Sequence, residues 1–231
     1  MPLHPLEIPL PSHEQSRADL YALLARLLLA PPDDALLSAV AQAPPLGGAA
    51  TGAAAAGVEA DPYAEDGTPL GRAWDALRSA ARGDGEAVRE RFDALFVSAG
   101  QPLLNPYASL YLAGFLMDTP LALLRQALAR LGLRRRAGVG EPEDHLGALC
   151  EVMRLLITGA PGLPRRTPAQ QAEFFETHLA SWAGRCLEDI ETADAGGFYA
   201  ALAGFMRAFL ELETLAFELE DTARSAETAT A

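Results

Sequence analysis

Residues 198–219 read FYAALAGFMRAFLELETLAFEL. Phe198, Leu202, Phe205, Phe209, Leu212 and Leu219 recur there at a helical period, which a strand of alternating faces cannot accommodate. The spacing predicts a helix over 197–221, with the small polar residues of 222–231 fraying. Upstream, a long helix is expected over 168–192. Before it, Leu146, Leu149, Cys150, Met153, Leu156 and Ile157 form another helical stripe. Thr119-Pro120 opens a helix through Leu131, with Leu121, Leu124, Leu128 and Leu131 in step and Gly132 ending it. Asn105-Pro106 reads as a helix start, with Asn as cap and Pro in the first turn. Further helices are expected over 86–97, 70–82 and 16–29. The last is stopped by Pro31 and Pro32, after which Asp33 caps a short helix through Val40.

Ala, Leu, Glu and Arg fill these segments, and strand-like runs of β-branched residues are nearly absent. The expectation is an all-α fold. It is a single globular helical domain over 1–231, of about eight to ten helices. Three stretches interrupt it. The low-complexity segment 43–67 reads as a flexible loop, 134–141 as a hinge linker, and 222–231 as a frayed tail.

The chain has 231 residues, half of them apolar, which is ample material for a core. Its formal net charge is −13, and all 18 of its cationic side chains are Arg. Such a surface repels phosphate backbones and anionic membranes and favours a cationic peptide partner. No apolar run approaches the roughly 20 residues of a membrane span. The proline-broken N-terminus lacks the basic start of a signal peptide. A soluble, cytoplasmic protein without integral membrane association is expected. Cys150 and Cys186 sit in apolar helical stretches and read as buried, reduced thiols.

Enzyme signals are poor. There is no phosphate-cradling glycine loop and no nucleophile elbow. Glu141 and His145 stand four apart, but Pro142 puts Glu141 at or before a helix start. His178 has Glu173 and Glu176 at spacings that share its face poorly, so no metal site is expected. Glu141-Pro142-Glu143-Asp144-His145 is either an ordinary acid-capped helix start or a polar patch able to grip a peptide. Arg165-Arg166 and Arg134–Arg136 read as solvated loop and linker.

Three blocks, RFDALFVSAGQPLLNPYASLYL (91–112), EPEDHLGALCEVMRLL (141–156) and QQAEFFETHLASWAGRCLEDIETADAGGFYAALAGFMRAFLELE (170–213), resemble the TorD/DmsD family in order and spacing. These are cytoplasmic chaperones that mature molybdenum-containing oxidoreductases. The resemblance implies an all-helical protein with no catalytic centre and no cofactor. It implies binding of the twin-arginine leader of a client, a molybdopterin oxidoreductase catalytic subunit in its apo form, until the client's cofactor is inserted before export. The family's peptide contacts fall on Pro142, Asp144 and His145, and on Phe92, Leu95 and Phe96 in the preceding block. Where many relatives carry Trp or Tyr, Phe92 has no polar tip.

A leader has cations followed by an apolar stretch, so an apolar groove edged by carboxylates suits it. Phe92, Leu95 and Phe96 are expected as wall, and Glu141, Glu143 and Asp144 as rim. At their spacing Phe92, Leu95 and Phe96 equally suit a core. Other readings stay open. One is a NarJ-like assembly factor for a molybdoenzyme that is not exported. Others are a small helical nucleotide-binding protein and a structural helical subunit. A homodimer formed by exchange of halves through the Gly138–Glu141 linker is also open.

Overall fold

The computed structural model describes residues 10–46, 67–97, 102–136, 138 and 140–230, with side chains as far as 225. Among these described residues ten α-helices follow one another: α1 (Ser12–Leu29), α2 (Asp34–Gln42), α3 (Pro69–Ala80), α4 (Gly85–Phe92), α5 (Ala108–Ala113), α6 (Thr119–Leu131), α7 (Leu146–Thr158), α8 (Pro168–Phe175), α9 (Ser181–Ala193) and α10 (Phe198–Thr230). Two π-helical turns, Asp93–Val97 and Glu176–Ala180, extend α4 and join α8 to α9. Among the described residues there is no strand, only two isolated bridges. The all-α expectation holds.

Capping sets most helix starts. Asp33, Thr68, Asp84 and Thr167 accept from first-turn amides of α2, α3, α4 and α8, and Thr167 with Gln170 closes a capping box. Asn105-Pro106 does not open a helix as expected. Pro106 is spent on an inter-segment hydrogen bond, and α5 starts only after Tyr107. Thr119-Pro120 opens α6 through Leu131 as expected, with Asp118 as its cap. The long helix expected over 168–192 is broken by the second π turn, and 86–97 likewise passes into one at Asp93. At the C-terminus the helix runs past Asp221 to Thr230, because Ala, Glu and Arg there still favour helix and Arg224 pairs with Asp221 three residues away. Of the expected loop 43–67, residues 47–66 lie outside the described residues. Pro44 before them is held by the Trp74 indole, which donates to its carbonyl.

Nearly all of the described buried apolar residues form one contiguous cluster. α1 lies along α7, while α10 packs on α3 and α9. Gly147 lets α1 and α7 approach closely, since a Cβ there would meet Leu29 Cγ at 2.9 Å and Ala25 O at 3.2 Å. One ionic group is buried inside the cluster. Arg17 of α1 donates to both carboxylate oxygens of Glu213 in α10, at 2.7 and 2.8 Å, and to Gln171 of α8 at 3.0 Å. The Tyr21 hydroxyl donates to the same carboxylate. Cys150 and Cys186 are buried free thiols, as expected. Burial pushes both thiols up, Cys186 to about 12.

Candidate peptide-binding site

The eight residues named from the sequence form two adjoining clusters. In the first, Phe92 and Leu95 are buried and Phe96 is half-buried. Phe96 stacks on Phe92 with ring centroids 5.2 Å apart and meets Tyr199 of α10 edge-on at 5.4 Å. The π turn places Leu95 and Phe96 on this inward side, so Phe92 and Leu95 are core. The turn is joined to the next segment by Leu104 N–H donating to Leu95 O at 2.9 Å.

That segment leads directly to the second cluster. Tyr107 and His145 pair as an antiparallel bridge. Ala108 N–H donates to Asp144 O at 3.0 Å, and Leu146 N–H donates to Pro106 O at 2.8 Å. The start of α5 is thereby fixed beside the start of α7. Pro142 is half-buried in the turn before α7 rather than in its first turn, because His145 is the cap. His145 Nδ1 accepts from Gly147 N–H at 3.1 Å, which leaves the ring proton on Nε2. Burial pushes this imidazole down to about 4, against the opposing pull of Glu141 and Asp144.

The expected acidic rim is largely engaged within the protein. Glu141 accepts the Tyr107 hydroxyl. Glu143 accepts two hydrogen bonds from Arg125, at 2.9 and 3.1 Å, and lies near Arg135. Burial opposes ionisation of Glu143, yet Arg125, with help from Arg135, holds the carboxyl below its usual range. Asp144 is 1% exposed. Its Oδ2 accepts from Ser109 N–H at 2.9 Å, while its Oδ1 is buried with no hydrogen-bond partner.

Ser109 carries the connection outward. Its Oγ accepts from Met117 N–H at 3.1 Å. Met117 has a left-handed backbone (φ 61°), the only such non-glycine among the described residues. It ends an apolar tip of Phe115, Leu116 and Met117 between α5 and α6, with Phe115 and Met117 each 73% exposed. Beside the tip, a cavity of about 340 Å³ is lined by Leu112, Pro120, Leu123 and Leu124, with Thr177 and His178 from the second π turn. A neighbouring cavity of about 260 Å³ shares Thr177 and His178 and adds Arg130, Arg166 and Glu173. A third, of about 610 Å³, lies between α2, α3 and the turn into α4. Phe96, Pro142, Asp144 and His145 line none of these three.

The sequence reading did not single out Leu112, Phe115, Met117 and Leu123 of this surface, and weighed His178 only as a metal ligand. One signal was available. Gly114-Phe115-Leu116-Met117 puts three large apolar residues between a helix-ending glycine and the Asp118-Thr119-Pro120 start, where a loop must face solvent.

The family described as nitrate reductase delta subunit matches residues 64–188, just over half of the chain. The chain is similar to the "Chaperone protein TorD" of Aliivibrio salmonicida, at 31% identity over 130 residues, 53% of this chain and 60% of that protein. The TorD of Aeromonas salmonicida is 29% identical over 146 residues, 61% of this chain and 65% of that protein. The "Probable Tat proofreading chaperone DmsD" of Haemophilus influenzae is 27% identical over 118 residues, 50% of this chain and 55% of that protein. The matched regions thus span less than two thirds of these relatives' length. With the family match covering both clusters of the site and ending inside α9, the chain belongs to the nitrate reductase delta subunit family, of TorD and DmsD type.

Proposed function

We propose that this chain is an assembly chaperone with no turnover of its own. It binds the twin-arginine leader and the apo form of a molybdopterin oxidoreductase catalytic subunit and releases them for export once the cofactor is in place. The relatives' names support the chaperone role. The observation that carries the leader reading is the apolar surface of α5 and α6. Large apolar side chains stand exposed around an open cavity, on a protein whose net charge is −13. An apolar segment headed by cations is complementary to that combination.

Burial divides the roles. Phe96, Pro142, Glu141 and Glu143 keep exposed surface and are the members of the two clusters able to touch a leader directly. Phe92, Leu95, Asp144 and His145 are closed off and support the surface from beneath. If the client is exported, titration calorimetry with its leader peptide gives a one-to-one complex, and a client lacking the leader no longer co-purifies with this chain. A second reading, which the family's description as a nitrate reductase delta subunit leaves standing, is an assembly factor whose client is not exported. Co-purification that survives leader deletion is its signature.

A further inference from the structure

The two cavities beside α6 adjoin each other. They meet at Thr177 and His178 and together follow α6 from Thr119 to Leu131. At about 1.5 Å per residue that path is about 18 Å long, the length of about twelve helical residues. Its ends differ in charge. The end near α5 has Asp118 at its edge, its carboxylate accepting from the lining residue Thr119. Hydrogen bonds from Thr119 hold the Asp118 carboxyl below its usual range, so it is anionic at neutral pH. The far end is lined by Arg130, Arg166 and Glu173, and Arg134, Arg135 and Arg136 follow directly after α6. Arg166 donates to Leu131 O at 2.7 Å, while its buried Nε has no partner. Between the ends the lining is Leu112, Pro120, Leu123 and Leu124. The partial charges at the ends of α6 oppose this pattern, but at about half a charge each they are smaller than the side-chain charges.

We propose that this groove docks an apolar helix of about twelve residues in one direction, its cationic N-terminal flank at Asp118 and its C-terminal end at Arg130 and Arg166. The proposal rests on the leader-binding reading and adds a place and a polarity to it. Cations at the leading end meet the acidic mouth, and the C-terminal carbonyls of the bound helix, which carry partial negative charge, meet the arginines. The reverse direction sets cations against Arg130 and Arg166.

The test uses the full chain and two fluorescein-labelled synthetic peptides of one composition, each about twelve Leu, Ala and Ser residues with two arginines. The arginines stand at the N-terminal end of one peptide and the C-terminal end of the other. Anisotropy at low salt is expected to favour the first by about fivefold, a preference that shrinks as salt screens the ends. Leu123→Asp, at an exposed position, is expected to weaken both by about tenfold with an unchanged circular dichroism spectrum. Arg130→Glu is expected to erase or reverse the preference. Equal affinities for the two peptides overturn the polarity. Binding that is unchanged by Leu123→Asp overturns the location and leaves the leader reading standing. Failure of both peptides to bind overturns the groove as a docking site, while calorimetry with the client's own leader decides the leader reading separately. If Leu123→Asp instead turns a dimer into a monomer while peptide affinity is unaltered, a second copy of the chain covers the groove and the proposal fails.

Discussion

Asp144 is tied to Met117 through a single residue. The Asp144 carboxylate takes the Ser109 amide at 2.9 Å, and the Ser109 hydroxyl takes the Met117 amide at 3.1 Å. A buried acid in the segment before α7 thus holds the exposed apolar tip before α6 in its left-handed turn. Ser109→Ala removes the acceptor for an amide that water can reach, so the stability loss is expected to be about 1 kcal/mol. Exchange of the Met117 amide proton should quicken at the same time. Asp144→Ala strands the Ser109 amide and is expected to cost about 1–3 kcal/mol by chemical denaturation. Asp144→Asn keeps an acceptor and should fall between wild type and alanine.

His145 makes stability depend on pH. Its folded value is pushed down to about 4 by burial, while the unfolded ring titrates near 6.5. Between those values the unfolded chain binds a proton that the folded chain does not. Stability from this group is therefore complete above about pH 6.5, falls as pH drops towards 4, and levels off below. The full swing is about 3 kcal/mol. His145→Asn keeps a capping acceptor for Gly147 N–H without the titration. Denaturant midpoints measured from pH 7.5 to 4 should slope less in that variant, and an unchanged slope would count against a neutral, buried His145.

The Arg17–Glu213 pair joins α1 to α10 where neither charge meets water. Glu213→Ala takes the bidentate carboxylate away from a buried guanidinium, which keeps Glu14, Gln171 and the Phe217 ring beside it, and is expected to cost about 3–5 kcal/mol. Replacing both members, as Arg17→Met with Glu213→Leu, removes the stranded charge along with the pair. The double variant should be more stable than Glu213→Ala alone. A thermal melt that ranks them the other way would mean that the guanidinium without Glu213 is not the costly element.

How much of this was legible beforehand differs between fold and site. The stripe through Phe198, Phe205 and Phe209 is set by local period, and local period survives folding, so α10 is readable from the chain. The π turns are not readable in that way. Phe92 and Phe96 are spaced as on an ordinary helix, and nothing in that spacing marks the π turn that begins at Asp93. Glu141-Pro142-Glu143-Asp144-His145 was legible as a special segment. Its partners Tyr107, Ser109 and Arg125 lie from 18 to 35 residues away and were not identifiable as its partners. Asp144 consequently looked like a surface acid, although the pairing of Pro106 with Leu146 draws it inside.

Leu95 and Leu123 separate support from contact. Leu95 is fully buried, and Leu95→Ala is expected to cost about 2–5 kcal/mol through lost burial and the cavity left behind. Any loss of peptide binding in that variant should track unfolding and recover when the protein is cooled or stabilised. Leu123 is 53% exposed beside the cavity, so Leu123→Ser should change stability by no more than about 0.5 kcal/mol. If an apolar helix covers Leu123, its loss removes about 1.5–3 kcal/mol of burial from the complex, or roughly tenfold to a hundredfold in affinity. Denaturant titration and peptide anisotropy on both variants give four numbers that must fall in this crossed pattern. A Leu95→Ala protein of native stability that has lost peptide binding would instead make the π turn of Asp93–Val97 the contact surface and reduce the α5–α6 face to an ordinary exposed patch.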